Sequence, residues 1–373
     1  MTEIDAYAAG FVEEPGYLDY GRVGPLSATV LAESLGQTEI LSRARFGSLD
    51  HLVQQDERMR EAVAAVTGFR ADQVVCEPNT TTGIMQAMFG LTGGVLLSPG
   101  DFPTVPFAAV RAAEALRVVT PIWLKTEHGR VTPGEIREQL TPATVAVAVC
   151  LVDSRTGFRV DLDGIRQVIG DRLLIVDAIQ GFGVTDAAYE MADVVASGGQ
   201  KWVRSGWGTG FLALSDRAVE RLVPVFSGFA GTDVAEPWDE VLPPSQSARA
   251  FRVSNGDPIA QARFSAALEE IAVTGIHHIE AAVADNVSQL IDLADEYAVP
   301  VVSPRDERER AGILVLEPNP AQLNTLTIAL HNHGITATTR DGRVRLSAHA
   351  MLSVDTVDML RGAFTSYATA AIY

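Results

Sequence analysis

From about residue 50 to residue 215 two periods of hydrophobicity alternate along the chain, and that alternation restricts the fold more than any other feature. Short apolar runs at 74–76, 95–98, 118–124, 145–152, 173–176, 194–196 and 211–214 are separated by amphipathic stretches such as 52–66, 105–116 and 162–169. The runs are continuously apolar, rich in Val, Leu and Ala, so a strand formed from one must be covered on both faces. The helices between them supply that cover and let neighbouring strands run parallel. The pattern predicts an α/β protein whose large domain has a mostly parallel central sheet.

Beyond residue 215 the texture changes. Residues 224–257 are rich in Pro, Gly and Ser and read as a long irregular crossing. Residues 259–297 carry a helical pattern broken near Thr274-Gly275, and segments 313–316, 321–331, 344–347 and 354–367 suggest a small α+β domain. The first 25 residues look irregular. At 373 residues the chain exceeds what one compact core spans. The expected division is an N-terminal segment, 1–25, packed with the small domain, then a large domain, 26–257, and a small C-terminal domain, 258–373.

With 47% hydrophobic and 20% charged residues, the chain has the balance of an ordinary soluble globular protein. A net charge of −18, spread along the sequence, repels phosphate backbones and argues against a nucleic-acid partner. The longest apolar stretch, 143–152, is too short to span a bilayer, so no membrane partner is expected. The acidic start, Met1-Thr2-Glu3-Ile4-Asp5, lacks the basic region of a secretion signal. Cys76 and Cys150 lie in strand-like apolar contexts and read as buried free thiols, which suits a reducing cytoplasm.

Two strand ends carry residue types suited to chemistry. Leu173-Leu174-Ile175-Val176-Asp177 ends a buried strand in a carboxylate, at the edge where open α/β sheets bind ligands. Ala192-Asp193-Val194-Val195 leads into Ala196-Ser197-Gly198-Gly199-Gln200-Lys201-Trp202, which sets a lysine at the end of another strand. Taken singly, these are a common loop acid and a common surface lysine. Together they are the pair that pyridoxal-phosphate (PLP) chemistry requires. An amine forms an imine with the cofactor aldehyde, and an acid keeps the pyridine nitrogen protonated.

The run Val176-Asp177-Ala178-Ile179-Gln180, followed by Ser197-Gly198-Gly199-Gln200-Lys201-Trp202 and Gly206-Trp207-Gly208-Thr209-Gly210-Phe211-Leu212, resembles the class V aminotransferase family of PLP-dependent fold-type I enzymes. That family includes cysteine desulfurases, kynureninases, epimerases and carbon–sulfur lyases, and the resemblance runs in order over nearly the whole chain. It implies a PLP cofactor held on Lys201, with Asp177 at the pyridine nitrogen and Gln180 at the phenolate. Ser197 and Gln200 belong to the same cofactor-binding run. Asn79-Thr80-Thr81-Thr82-Gly83 looks like the family's phosphate cradle, and hydroxyls and N–H groups at a helix start favour an anion. Asp101-Phe102-Pro103-Thr104 is similar to the kynureninase segment whose phenylalanine, here Phe102, stacks on the pyridine ring. Val152-Asp153-Ser154-Arg155-Thr156-Gly157 takes the place of the family's Asn-x-x-Thr-Gly motif, so Ser154 and Arg155 border cofactor or substrate. Ser227-Gly228-Phe229-Ala230-Gly231-Thr232 resembles the loop that reaches the neighbouring subunit's phosphate. It implies Thr232 as a cofactor contact and a homodimer with shared active sites.

Arg343-Val344-Arg345-Leu346-Ser347 resembles the family's Arg-hydrophobic-Ser strand. A guanidinium suits two-pronged binding of a substrate α-carboxylate. Strand alternation places Arg343 and Arg345 on one face, and motif position assigns the role to Arg345. Gln200 stands where many relatives have His, and brings hydrogen bonds but no titratable proton. The kynureninase-like segment has Val105 in place of an acid, which argues against that activity. No cysteine follows Cys150 to serve as the mobile thiol of a desulfurase. Among class V relatives the overall pattern is similar to carbon–sulfur lyases, and that resemblance implies action on a cysteine-conjugate sulfoxide with release of pyruvate and ammonia. The alternative is an aminotransferase, or a kynureninase- or desulfurase-like enzyme, acting on another amino acid. His331-Asn332-His333 and His277-His278 read as helix-end residues rather than metal ligands, and no metal is expected. His349, just past the arginine strand, is a candidate to face the substrate.

Overall fold

The computed structural model describes residues 2–234 and 239–370. Seven strands build the large sheet: β1 (Val74–Cys76), β2 (Gly93–Leu97), β3 (Val119–Trp123), β4 (Thr144–Cys150), β5 (Leu173–Asp177), β6 (Val194–Gly198) and β7 (Gly210–Leu214). Their order is β1-β7-β6-β5-β4-β2-β3. From β3 to β6 every pairing is parallel, and β7 runs antiparallel to both β6 and β1. The sheet is mostly parallel, as the alternating sequence pattern predicts.

Continuous apolar runs fill both faces because alternate residues enter different cores. Val147 and Val149 of β4 and Leu174 and Val176 of β5 pack into one core. Ala146 and Ala148, with Leu173 and Ile175, pack into the other. The covering helices form for local reasons. Asp161 caps Leu162–Ile169 by accepting the Gly164 N–H at 2.9 Å, and Leu162, Ile165 and Ile169 make its buried stripe.

The small sheet comprises β8 (Ile313–Leu316), β9 (Thr338–Arg340) and β10 (Arg343–Ser347), in the order β8-β10-β9 and antiparallel throughout. Asp341 and Gly342, at φ 51° and 79°, make the two-residue turn between β9 and β10. Asp-Gly tolerates the left-handed conformation that such a hairpin needs. Pro258–Thr274 and Ile276–Glu296 are separate helices broken at Gly275, where φ is 84°. The first of them packs on helices Gln55–Thr67 and Ala28–Arg43, beside the large sheet.

The N-terminal segment is not wholly irregular, because a capping box between Thr2 and Asp5 starts a short helix, Glu3–Ala8. Farther on it runs beside the small sheet. The Leu18 N–H donates to Thr336 O at 3.0 Å, and the Ser347 N–H donates to Leu18 O at 2.7 Å. The Gly24 N–H then donates to Gln200 O at 2.8 Å, so this strap ties the small sheet to the loop that carries Lys201. Among the described residues no helix is long and apolar enough to cross a membrane.

Candidate active site

Parallel strands deliver their following loops to one edge of the sheet, and the chemistry-bearing residues collect there. Asp177 ends β5 and Lys201 follows β6. Ser154 and Arg155 follow β4, Phe102 follows β2, and Thr80 opens the helix after β1. A cavity of about 380 Å³ lies at this edge, lined by Lys201, Phe102, Ser154, Arg155, Gln180 and Arg345 among others. With Arg343, seven of the residues weighed in the sequence thus share one cavity.

Lys201 Nζ stands 5.3 Å from the centroid of the Phe102 ring. Backbone contacts hold its loop: the Arg204 N–H donates to Lys201 O at 3.0 Å and the Ser205 N–H to Gly199 O at 2.9 Å. Burial pushes the lysine down to about 8, against the pull of the Asp177 charge and with a further push from Arg345. Burial pushes Asp177 up to about 6, opposed by the Ile179 N–H and by Lys201. Asp177 Oδ1 accepts the Ile179 N–H at 3.1 Å, whereas its Oδ2 is buried without a partner. A half-satisfied buried carboxylate is costly, and a cationic N–H donor would relieve it.

Gln180 is oriented from two sides. The Trp202 Nε1–H donates to its Oε1 at 3.0 Å, and its Nε2 donates to Gly21 O at 2.9 Å. One amide N–H remains for the cavity it lines. At the start of helix Thr80–Gly90 the Asn79 side chain accepts the Thr82 N–H at 3.0 Å. Thr81 and Thr104 share a hydroxyl contact at 2.9 Å, and the buried Thr80 hydroxyl has no partner. This orphaned donor at a helix start suits a phosphate. Ser197 is fully buried at the end of β6 and Gln200 is half-buried beside Lys201. The residues present therefore fit PLP. Lys201 would hold its aldehyde carbon, Asp177 its pyridine nitrogen, Phe102 its ring face, and the Thr80–Thr82 start its phosphate.

Other residues fall differently. Thr232 is buried in its own turn, its hydroxyl within donating distance of Val234 O at 3.0 Å or Phe229 O at 3.2 Å, and it does not line the cavity. Arg343 and Arg345 both line it, as strand alternation requires. Arg343 Nε donates to Glu317 at 2.8 Å, whereas Arg345 Nη2 lies 3.4 Å from Asp19 and its buried Nε has no partner. Arg345 thus keeps the greater capacity for a new carboxylate.

His349, weighed as one candidate to face the substrate, lies elsewhere. It is fully buried among Tyr7, Phe11, Tyr20 and Trp202, and the cavity does not include it. Its Nε2 lies 2.8 Å from Trp202 O, and the Ala350 N–H donates to its Nδ1 at 2.7 Å. Those partners fix the neutral Nε2–H form, and burial drives its pKa down to about 3.

Sequence reasoning missed Gly21, Arg22, Thr338, Arg340 and Asp341, all on the cavity lining. The Asp341-Gly342 dipeptide is a hairpin signal that would have found β9, and with it Arg340. Nothing local announces Arg22.

A sheet edge that presents an amine, an opposed buried acid and an open helix start defines a fold-type I PLP enzyme. The family model for class V aminotransferases matches residues 43–371. The chain belongs to the class V aminotransferase family, and its cofactor is PLP. A Mycobacterium tuberculosis (strain CDC 1551 / Oshkosh) protein named probable hercynylcysteine sulfoxide lyase is 29% identical over 262 residues. That match covers 66% of this chain and 61% of the relative, less than two thirds of its length. Among solved structures, a C-DES variant with glycine covalently linked to its PLP cofactor superposes with a TM-score of 0.85 at 18% identity. That comparison covers 95% of this chain and 98% of the other. The apo cysteine desulfurase of Thermococcus onnurineus NA1 gives 0.81 at 18% identity, covering 93% of each chain. These structural likenesses concern the fold.

Proposed function

We propose that this protein is a PLP-dependent carbon–sulfur β-lyase, cleaving the cysteine-conjugate sulfoxide hercynylcysteine sulfoxide on the way to ergothioneine. The observation that carries the lyase reading is a site with its lysine and acid in place and no thiol to take sulfur. The chain's two cysteines are Cys76 and Cys150, and burial raises both thiols, Cys76 to about 12. Neither offers the reactive thiolate that a persulfide carrier needs. The curated relative's name supports the particular substrate.

When bound, PLP supplies an electron sink for the carbanion formed at the substrate Cα. Arg345 binds the α-carboxylate and so fixes which Cα bond faces Lys201. The Lys201 amine, which lines the cavity, would take the Cα proton as general base. Asp177 would hold a proton on the pyridine nitrogen of the bound cofactor. The Cβ–S bond then breaks and its electron pair leaves with sulfur as a sulfenate, a better leaving group than a thiolate. Hydrolysis of the three-carbon remainder yields pyruvate and ammonia, and an external thiol reduces the sulfenic acid to ergothioneine. A homodimer with shared active sites is part of the proposal. Thr232 stands outside its own chain's cavity, and Phe229 and Trp207 are more than half exposed nearby in sequence to the site loops.

The test mixes the holoenzyme with hercynylcysteine sulfoxide and a thiol reductant. Pyruvate and ammonia in equal amounts, with ergothioneine, are expected. A keto acid with pyridoxamine phosphate and no ammonia would make the protein an aminotransferase. Sulfide from free cysteine would make it a desulfurase.

A further inference from the structure

The charge of the cavity is not accounted for by cofactor and α-carboxylate alone. The chain carries −18 overall, yet Arg22, Arg155, Arg340, Arg343 and Arg345 line this one cavity, with Asp341 as the single carboxylate among the lining residues. Three of the five have local partners: Arg345 faces Asp19 at 3.4 Å, Arg343 pairs with Glu317 at 2.8 Å, and Arg340 lies 3.4 Å from Asp341. Arg22 and Arg155 form no ion pair within 4.0 Å among the described residues, although Asp19 and Asp153 lie near enough to feel their charges. Like charges gathered in a cleft repel one another and focus a positive potential there, and an anion from solution relieves both effects.

Both free guanidinium groups stand on anchored backbone. The Arg22 N–H donates to Asp19 O at 2.9 Å, and its neighbour Gly21 donates to Ser347 Oγ at 2.9 Å. The Arg155 N–H donates to the Asp153 carboxylate, which also accepts the Thr156 N–H at 2.9 Å. They come from different walls, one from the N-terminal strap and one from the loop after β4. The Thr80 helix start would hold the cofactor phosphate and Arg345 the α-carboxylate, which leaves Arg22 and Arg155 for another anion.

We propose that Arg22 and Arg155 form a second-anion subsite, which selects amino acids whose sulfur substituent ends in a carboxylate. The inference rests on the β-elimination reading for its substrate class. Guanidinium groups from two walls can take one carboxylate between them, which selects for a charge and for its distance from Cα. A neutral substituent of the same shape leaves the two cations unpaired.

Two ligand pairs test this on the holoenzyme. S-(3-carboxypropyl)-L-cysteine sulfoxide and its terminal amide report turnover as pyruvate. The corresponding thioethers, which are poor leaving groups, report binding by calorimetry. The carboxylates should be favoured by about 10- to 100-fold, in kcat/KM and in Kd alike. Arg22→Gln and Arg155→Gln should each move the carboxylate-to-amide ratio toward one. Equal treatment of acid and amide by the native protein overturns the subsite, while pyruvate from both leaves the lyase reading intact. If no sulfoxide yields pyruvate but the acid thioether still binds more tightly, the subsite stands and the lyase reading falls. A ratio unchanged in both variants assigns the selectivity elsewhere and overturns the residue assignment.

Discussion

Lys201 lines the floor of the cavity, and Asp177, buried and outside the lining, ends the neighbouring strand of the same sheet; backbone hydrogen bonds hold both segments. At its mouth, Arg22, Arg155, Arg340 and Arg343 arrive from the N-terminal strap, the loop after β4 and the β9–β10 hairpin, and Arg22, Arg155 and Arg340 are exposed. The floor is buried, and burial shifts its titrating groups, whereas the mouth is open to solvent. Such a difference separates two tasks. The floor fixes which chemistry is possible, and the mouth fixes which molecule undergoes it. Changes at the floor should therefore abolish turnover for every substrate, and changes at the mouth should redistribute it.

Lys201→Ala should show the largest effect, a loss of turnover of about a hundred- to ten-thousand-fold or more. The chain contains two lysines, the exposed Lys125 and Lys201. Borohydride reduction of the native holoenzyme should therefore place the pyridoxyl group on the Lys201 peptide, and on neither peptide in the variant. A label on Lys125 would remove Lys201 from the floor.

Much of that floor was legible because local sequence determines it. Asp177 and Lys201 sit where apolar runs stop, and a run that needs cover on both faces has its end at a sheet edge. Counting lysines would have sharpened the choice further. The mouth was less legible because its residues meet only through long-range pairing, as where Gly21 donates to Ser347, 326 positions away. β9 reads Thr338-Thr339-Arg340, too polar to announce a strand, and only its Asp-Gly turn betrays it. Helix Ala28–Arg43 also escaped notice. It buries only Val30 and Gln37 and leaves Leu31 and Leu35 about half or more exposed, so it has no apolar stripe to detect. The place of His349 stayed open because sequence proximity to Arg345 says nothing about which way a side chain points after the strand ends.

Next in size is the pH dependence of loading the cofactor-free chain with PLP. Only the neutral amine attacks an aldehyde, and burial sets that amine at about 8 instead of its ordinary 10.5. The loading rate should rise about tenfold per pH unit from about pH 6.5 to about 7.5 and level off above 8, followed by absorbance. A rate still climbing tenfold per unit beyond about pH 9 would mean a solvated lysine. Because the Asp177 charge supports the ammonium form, Asp177→Asn should move the plateau to lower pH.

Between floor and mouth, Arg345→Ala should raise KM for the amino-acid substrate by about 10- to 100-fold, the worth of a charge-assisted pair of about 1.5–3 kcal/mol. Arg343→Ala should cost less, since Glu317 already occupies that guanidinium. A larger effect at Arg343 would exchange their roles.

The smallest effect on turnover is expected at His349, which lies near the arginine strand in sequence but behind the floor in space. Folded, it stays neutral down to about 3; unfolded, it takes a proton below its ordinary 6.5. Between those values the unfolded chain binds more protons, so this residue lowers stability as pH falls through that window. His349→Leu should remove that contribution. It also leaves Trp202 O and the Ala350 N–H without their partners, at a cost of about 1–3 kcal/mol near neutral pH. Denaturant melts at about pH 7.5 and about pH 5 separate the two terms: the variant should be weaker at the first and lose less on going to the second. With the floor's backbone intact, KM should stay near that of the native enzyme. A large rise in KM with an unchanged melt would return His349 to the substrate.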